Sequence, residues 1–265
     1  MADWSSEVDV ARPNIARVYD YLLGGGHNFE VDRKFARRGL DLLPHLAEAA
    51  RFNRGFLFRA VRFCLDRGIR QFLDLGSGIP TAGNVHEIAH AVDPRARVVY
   101  VDNELVAVAR SAALLEGEPN ATAIEEDIRR PGAVLEHPAV AGMLDFDEPV
   151  AVLMVAVLHS LLDRDDPAGL IARYRSAMAP GSCLVLSHGT PDRGDEQLHR
   201  YIDLYEESPD SVHLRTHEEI LALFDGFALV RPGLVWTQMW RSEFAENLPP
   251  DPERGFCYAG VGEKV

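Results

Sequence analysis

The chain has 265 residues, 47% of them hydrophobic, and its 41 acidic against 27 basic residues give a formal net charge of −14. That length supports one large domain or a domain with a cap, and the acidic balance excludes a phosphate backbone as the main partner, because nucleic-acid binding requires a basic footprint. The expected ligand is a small molecule.

Residues 1–13 form a polar terminal segment of the kind that is loosely held. Residues 14–23 carry Ile15, Val18 and Leu22 near helical spacing and are stopped by Gly24, Gly25 and Gly26. Three consecutive glycines read either as a helix stop with a flexible loop or as a close approach to a ligand. The surrounding Tyr19, Asp20, Tyr21, His27 and Asn28 add weight to the second reading. Residues 32–42 and 46–67 predict two further helices, broken around Pro44. Most arginines of the longer helix read as a solvated face, while Arg51 and Arg54 fit either structural ion pairs or a ligand carboxylate.

From Gln71 onward, strand and helix patterns alternate. Strands are predicted over 72–75, 98–101, 121–124, 150–158 and 182–187, and helices over 84–91, 105–115 and 170–178, the last closed by Pro180 and Gly181. This succession predicts an α/β, doubly wound parallel sheet, with ligands at the carboxyl ends of its strands. Helices follow over 196–206 and 218–224, the second capped by Thr216. Strands over 227–230 and 256–261, joined by a long connection containing Trp236 and Trp240, finish the sheet as an antiparallel pair. No internal repeat or interdomain linker is visible.

Residues 72–81 read Phe, Leu, Asp, Leu, Gly, Ser, Gly, Ile, Pro, Thr, a buried strand turning into a loop. Gly76 and Gly78 permit backbone angles and close approaches that a side chain forbids, which makes the loop a candidate nucleotide cradle. Thr81 stands where a dinucleotide fingerprint has its third glycine, so the loop suits an uncharged nucleoside better than a pyrophosphate. Asp102 lies 24 residues after Gly78, where a nucleotide-binding sheet places an acid for ribose hydroxyls; the alternative is a cap on the helix starting near Leu105. Glu126, Asp127, Ile128 and Arg129 set a carboxylate beside an apolar side chain, apt for an adenine. His159 follows the fourth strand, with Asp163 shortly after, and His188 ends the fifth. Each is a candidate general base, since imidazole titrates near neutrality, or a structural histidine.

These residues resemble the class I S-adenosylmethionine-dependent methyltransferases. Asp74, Leu75, Gly76, Ser77 and Gly78 match the first motif of that family, Asp102 its ribose acid, Glu126, Asp127 and Ile128 its adenine-contact motif, and Leu158 and His159 with Asp163 its segment after the fourth strand. Over nearly all of its length the chain is similar to a family of actinobacterial S-adenosylmethionine methyltransferases. That likeness includes Pro13, Asn14, Ile15, Ala16, Arg17, Val18, Tyr19, Asp20, Tyr21, Leu22, Leu23, Gly24 and Gly25, and later Gly233, Leu234 and Val235 with Trp240 and Arg241.

The resemblance implies a Rossmann-like class I methyltransferase sheet over residues 71–265, with a helical insert near 195–224 and an N-terminal helical cap over residues 1–70. It implies S-adenosylmethionine as cofactor and S-adenosylhomocysteine as product. Carried over by position, Gly76, Ser77 and Gly78 pass under the methionyl and ribose parts, Asp102 with Asn103 holds the ribose, Asp127 and Ile128 the adenine, and Val155 with Ala156 supplies backbone opposite the sulfonium. The first helix and its Gly24 to Gly26 turn fold over the cofactor, with Tyr21 and Asn28 as contacts. No Asn or Asp, Pro, Pro, aromatic motif follows the fourth strand, which speaks against methylation of an exocyclic base or amide nitrogen.

The expected reaction is in-line methyl transfer to an oxygen or nitrogen of a small-molecule acceptor, with His159 the first and His188 the second candidate base. Tyr201, Tyr205, Trp236 and Trp240 are expected to frame the acceptor pocket, the alternative for both tryptophans being core packing. A non-catalytic cofactor sensor is the rival reading; a nicotinamide oxidoreductase is disfavoured by Thr81 and the 126–128 segment. Cys64, Cys183 and Cys257 are odd in number and widely spaced, so neither a disulfide framework nor a metal site is expected. Without a leader pattern or an apolar stretch of membrane-spanning length, the sequence predicts a cytoplasmic protein with no membrane partner.

Overall fold

The apolar runs without helical period become the inner strands of one sheet. In the computed structural model, which describes residues 8–81, 83–192, 196–208, 211–242 and 251–265, these are β1 (Gln71–Leu75), β2 (Arg97–Asp102), β3 (Ala121–Glu125), β4 (Ala151–Val155) and β5 (Cys183–Gly189). Residues 1–7 of the polar terminal segment, positions 195, 209 and 210 of the helical insert, and residues 243–250 of the long connection lie outside the described residues. Every residue of β1 and β5 is buried, because helices cover both faces and alternation has no solvent side to face.

The strand order is β3-β2-β1-β4-β5-β8-β6, where β6 is Ala228–Leu229 and β8 is Cys257–Glu263. β1 pairs in parallel with β2 on one side and β4 on the other, so the chain reverses its direction of travel across the sheet there. In an open α/β sheet such a switch point leaves a crevice at the strands' carboxyl ends. The antiparallel terminal pair is present, with β8 inside between β5 and β6, and a short β7 (Val235–Trp236) also pairs with β8.

Ten α-helices lie among the described residues: α1 (Ile15–Leu22), α2 (Glu30–Leu42), α3 (Leu46–Asp66), α4 (Val85–His90), α5 (Leu105–Leu114), α6 (Pro131–Leu135), α7 (Pro138–Met143), α8 (Pro167–Ala177), α9 (Glu196–Asp203) and α10 (His217–Ala222). Phe72, Val98 and Leu153 pack with Phe56, Leu57 and Val61 of α3 on one face of the sheet. Leu73, Val99 and Val152 pack with Leu170, Ile171 and Tyr174 of α8 on the other. A separate cluster joins Val18 and Leu22 of α1 to Phe35 of α2, Ala50 of α3 and Tyr205.

The first helix is fixed by polar groups as well as by packing. The Asn14 side chain caps α1 by accepting from the amides of Ala16 and Arg17. Arg17, almost wholly buried, donates from Nε to Asp32 at 3.0 Å, from Nη1 to Glu104 at 3.0 Å, and from Nη2 to the carbonyls of Asp9 and Arg12. This pair of ion contacts ties α1 and α2 to the end of β2, and removing one partner would leave a buried charge uncompensated, a loss of about 3–5 kcal/mol.

Three local expectations change. The fourth strand stops at Val155 rather than running on to 158, because Ala156 turns into the left-handed region at φ +56° and a 3-10 turn follows over Leu158–Ser160. α6 and α7 were not predicted; at five and six residues they are too short to show a period, and a proline opens each. Trp240 is a core residue: it is fully buried, with the rings of Phe56 and Phe63 edge-on at 5.4 and 5.8 Å, and Arg59 donates to its carbonyl.

Candidate active site

At the switch point the strand ends surround a cavity of about 380 Å³, within the size range of small-molecule sites. The carboxyl ends of β1, β2, β3 and β4 and the loops after them supply Gly76, Ser77 and Gly78, then Asp102 and Asn103, then Asp127 and Ile128, then Val155 and Ala156. All of these were expected at a cofactor, and the fold gathers them on one wall system. Tyr19 of α1 and Asn53 and Arg54 of α3 close the opposite side.

The glycine loop has two different needs for glycine. Gly76 sits at φ +70°, and a Cβ there would drive into the Val157 side chain. Gly78 sits at φ +66°, and a Cβ there would meet nothing within 4 Å. The loop is held from below by the amides of Gly76 and Ser77, which both donate to the Val101 carbonyl. Asp102 accepts from the Gly78 amide at 2.7 Å through Oδ2 and from the Glu104 amide at 2.9 Å through Oδ1. Its place is therefore set by backbone donors, and the cap position of α5 belongs to Glu104 instead.

Two more carboxylates face this space in different states. Burial raises the pKa of Asp74 to about 7, with Arg54 opposing the rise and Asp102 adding to it. Burial also acts on Asp127, but the side-chain and backbone hydrogen bonds from Arg129 hold it below the ordinary carboxylate range. Tyr174 donates to the carbonyl of Ile128 at 3.1 Å and so fixes that segment from the core side. Arg54 reaches the cavity and donates to the Gly83 carbonyl, whereas Arg51 is exposed and lines no wall; the structure separates the two arginines that the sequence left together.

The end of β4 is held in its turn by a chain of hydrogen bonds. The Ala156 amide donates to Ser187 Oγ at 3.0 Å, Ser187 Oγ donates to Asn53 Oδ1 at 2.6 Å, Asn53 Nδ2 donates to Tyr19 Oη at 3.0 Å, and Tyr19 Oη donates to the Ala50 carbonyl at 3.1 Å. A non-glycine residue in the left-handed region costs about 1–3 kcal/mol and persists where its surroundings over-determine it. Here that chain joins β4 and β5 to α3 and α1.

The two candidate bases part company. Burial, with Arg215 adding, lowers the pKa of His159 to about 4, so the ring is neutral near neutrality. Its Nδ1 is buried and has no hydrogen-bond partner among the described residues. His188 is fully buried, and burial with the neighbouring His159 brings its pKa to about 3. Its Nδ1 lies 2.7 Å from the Gly189 carbonyl and must carry the proton, and its Nε2 accepts from Arg215 at 3.0 Å. Both ring nitrogens of His188, the second candidate base, are thus engaged. Arg215, which sequence reasoning missed, also donates to the carbonyls of Leu158 and Leu161 and to Asp163, and so holds the segment that carries His159.

A second, smaller chamber of about 120 Å³ adjoins the first. Ile15, Tyr19, Asn53, Ala156 and His159 line both. Tyr201 and Tyr205 stand in its wall as expected of an acceptor pocket, their hydroxyls 3.0 Å apart. Trp236 and Trp240 do not: Trp236 stacks on Tyr258 at 4.1 Å and Trp240 belongs to the core. Tyr21 and Asn28 line neither chamber. The Asn28 amide donates to Asp20 Oδ2 at 2.7 Å and to the Gly25 carbonyl at 3.0 Å, so the glycine turn closes on its own helix. A Cβ at Gly25 would collide with the Asp20 carboxylate. Among the described residues no helix is long and apolar enough to cross a membrane.

Comparison with known proteins agrees with this geometry. A family model described as S-adenosyl methyltransferase matches residues 1–265. A candidate methyltransferase from Thermobifida fusca superposes with a TM-score of 0.91 at 40% identity, covering 100% of this chain and 99% of its own. A DUF574-family protein from Streptomyces avermitilis does so with a TM-score of 0.93 at 35% identity, covering 97% and 99%. Human N-acetylserotonin methyltransferase, solved with S-adenosylmethionine, shares the fold with a TM-score of 0.50 at 17% identity over 98% of this chain and 66% of its own. No protein of curated function matches the chain in sequence.

Proposed function

The chain belongs to the S-adenosyl methyltransferase family and is an S-adenosylmethionine-dependent methyltransferase, and from that premise we propose that it methylates an oxygen or nitrogen of a small-molecule acceptor. The observation that carries this reading is the meeting of two chambers of different chemistry at Ala156 and His159. The larger is rich in carboxylates and backbone donors; the smaller is lined mainly by apolar side chains.

The residues present fit the cofactor. A side chain at Gly78 would project into open space above the loop, which is the room a ligand lying on that backbone needs. Asp102 is fixed at the same edge by two amides. In this reading Gly76, Ser77 and Gly78 support the methionyl and ribose parts, Asp102 and Asn103 hold the ribose hydroxyls, Asp127 and Ile128 flank the adenine, and Val155 and Ala156 present backbone to the sulfonium end. Arg54, a guanidinium, and Asp74, a carboxyl group that burial holds near neutrality, suit the two ends of the amino-acid moiety.

When bound, S-adenosylmethionine supplies a sulfonium-borne methyl group, and in-line transfer to an acceptor lone pair passes the carbon–sulfur bond pair to sulfur and leaves S-adenosylhomocysteine. The chain's own part is alignment, which can supply much of the rate in such a displacement. Ala156 and its hydrogen-bonded supports set the boundary between the chambers. His159, neutral at working pH, receives the proton that a hydroxyl or amine acceptor gives up. His188 and Arg215 keep the His159 segment in place. The test is incubation with methyl-labelled S-adenosylmethionine and a panel of phenols, alcohols and amines. Labelled product in step with S-adenosylhomocysteine is expected, whereas cofactor binding without turnover on any member of the panel would favour the sensor.

A further inference from the structure

We infer that the acceptor is an uncharged molecule that inserts one ring, or an aliphatic group of that size, into the smaller chamber, with its methylated atom toward Ala156 and His159. The inference rests on the proposed placement of the cofactor in the larger cavity, and it names the acceptor's class from three features of the smaller one.

The first is the absence of charge. Among the described residues that line this chamber there is no Asp, Glu, Lys or Arg. Its polar side chains are Tyr19, Asn53, His159, Tyr201, Tyr205 and Cys257. Burial pushes Tyr19, Tyr201 and Cys257 up to about 12 and His159 down to about 4, so each stays neutral near neutrality. Tyr19 and Asn53 bond each other, as do the hydroxyls of Tyr201 and Tyr205. A carboxylate or ammonium entering here would lose its water without gaining a counter-ion, which costs several kcal/mol. An apolar ring loses nothing of the kind and gains contact with Val18, Leu22 and Leu198.

The second feature is size. The chamber's 120 Å³ is somewhat smaller than an apolar cavity of about 150 Å³ that takes up benzene. That volume suits one six-membered ring better than a fused bicycle.

The third is position. The walls that the chambers share carry the left-handed turn at Ala156 and the neutral His159 ring. A ring seated among α1, α3 and α9 therefore faces the cofactor cavity across a shared boundary of Ile15, Tyr19, Asn53, Ala156 and His159. A hydroxyl or neutral amine at that end of the ring meets the imidazole as it approaches the cavity.

The test uses the full chain saturated with S-adenosylhomocysteine and titrated by calorimetry and protein NMR. Benzyl alcohol and phenol are the neutral probes, benzoate and benzylammonium the charged probes of matched size, and 2-naphthol the larger one. The neutral single rings should bind saturably, and each of the other three at least tenfold more weakly. Val212→Phe and Ala49→Leu, both in the smaller chamber's wall only, should each weaken benzyl alcohol at least tenfold. Both should leave S-adenosylhomocysteine affinity within twofold, and thermal melting shows which variants fold. Benzoate or benzylammonium binding as tightly as benzyl alcohol overturns the inference. So does 2-naphthol binding more tightly than phenol, or benzyl alcohol binding that neither folded variant changes. If S-adenosylhomocysteine binds and no neutral ring does, the acceptor class alone is wrong; if S-adenosylhomocysteine itself fails to bind, the cofactor placement is wrong.

Discussion

Asp74→Asn isolates the electrostatic cost built into the floor of the larger cavity. Asp74 lies on β1 at 6% exposure, and burial raises its pKa from 3.8 to about 7. The unfolded chain gives up that proton near pH 4, so between about pH 4 and pH 7 the folded state holds one proton more, and stability falls as pH rises. Each pH unit in that window costs about 1.4 kcal/mol. The full cost is then about 4 kcal/mol, of which about 3 kcal/mol develops from pH 5 to pH 8. Asparagine keeps the shape and cannot ionise. Urea unfolding followed by tryptophan fluorescence should show the variant gaining about 3 kcal/mol on the wild type across that interval, on top of about 1–2 kcal/mol already present at its acid end. Parallel pH profiles for the two proteins would refute the reasoning, since they would mean that Asp74 is ionised throughout and is solvated or paired in a way its burial does not indicate.

Further expectations concern the histidines and the glycine loop. In the Asp74→Asn background, where the opposing carboxyl slope is gone, stability should fall as the medium is acidified below about pH 6.5, because unfolded histidines take up protons that His159 and His188 refuse until about 4 and about 3; a flat profile by urea unfolding would contradict the burial of these rings. His159→Ala should lower turnover on an identified acceptor by about 10²–10⁴-fold, the range for a positioned acid or base, with S-adenosylhomocysteine affinity unchanged by calorimetry. Unaltered turnover would remove it from the proton-accepting role. Gly78→Ala should cost only about 1–2 kcal/mol in thermal stability, the strain of a left-handed alanine, yet sharply weaken cofactor binding. Retained affinity would mean that the ligand does not lie on this backbone.

How much of this was legible in the sequence depends on how local each signal is. The glycine loop, Asp102, Asp127 and Ile128 each follow directly from a strand end, so a spacing rule carries them to the cavity wall without knowledge of any distant contact. The Asn53–Ser187 contact spans 134 residues and the Arg215–His188 contact 27, and no periodicity encodes either. The same limit explains the tryptophans. Aromatic character is shared by pocket walls and cores, and only the packing of Phe56 and Phe63 around Trp240 decides between them. Asn28 shows a further limit: a polar residue beside a glycine turn reads as a ligand contact, whereas here its amide donates to Asp20 Oδ2. Of the smaller chamber's walls the sequence offers Tyr201, Tyr205 and His159, because the rest come from elements such as α1 and α3 that meet them only in the folded chain.

The central claim, that the strand-end cavity holds S-adenosylmethionine by its ribose at Asp102, is tested most directly by calorimetric titration of S-adenosylhomocysteine into the wild type and Asp102→Ala. Hydrogen bonds to a charged group are worth about 1.5–3 kcal/mol each, so losing two ribose contacts should weaken binding by at least about a hundredfold, to the point of no measurable heat. Asp102→Asn, which retains an oxygen for the Gly78 amide, should fall between the two if the variant folds. Binding by Asp102→Ala at wild-type affinity would contradict the account.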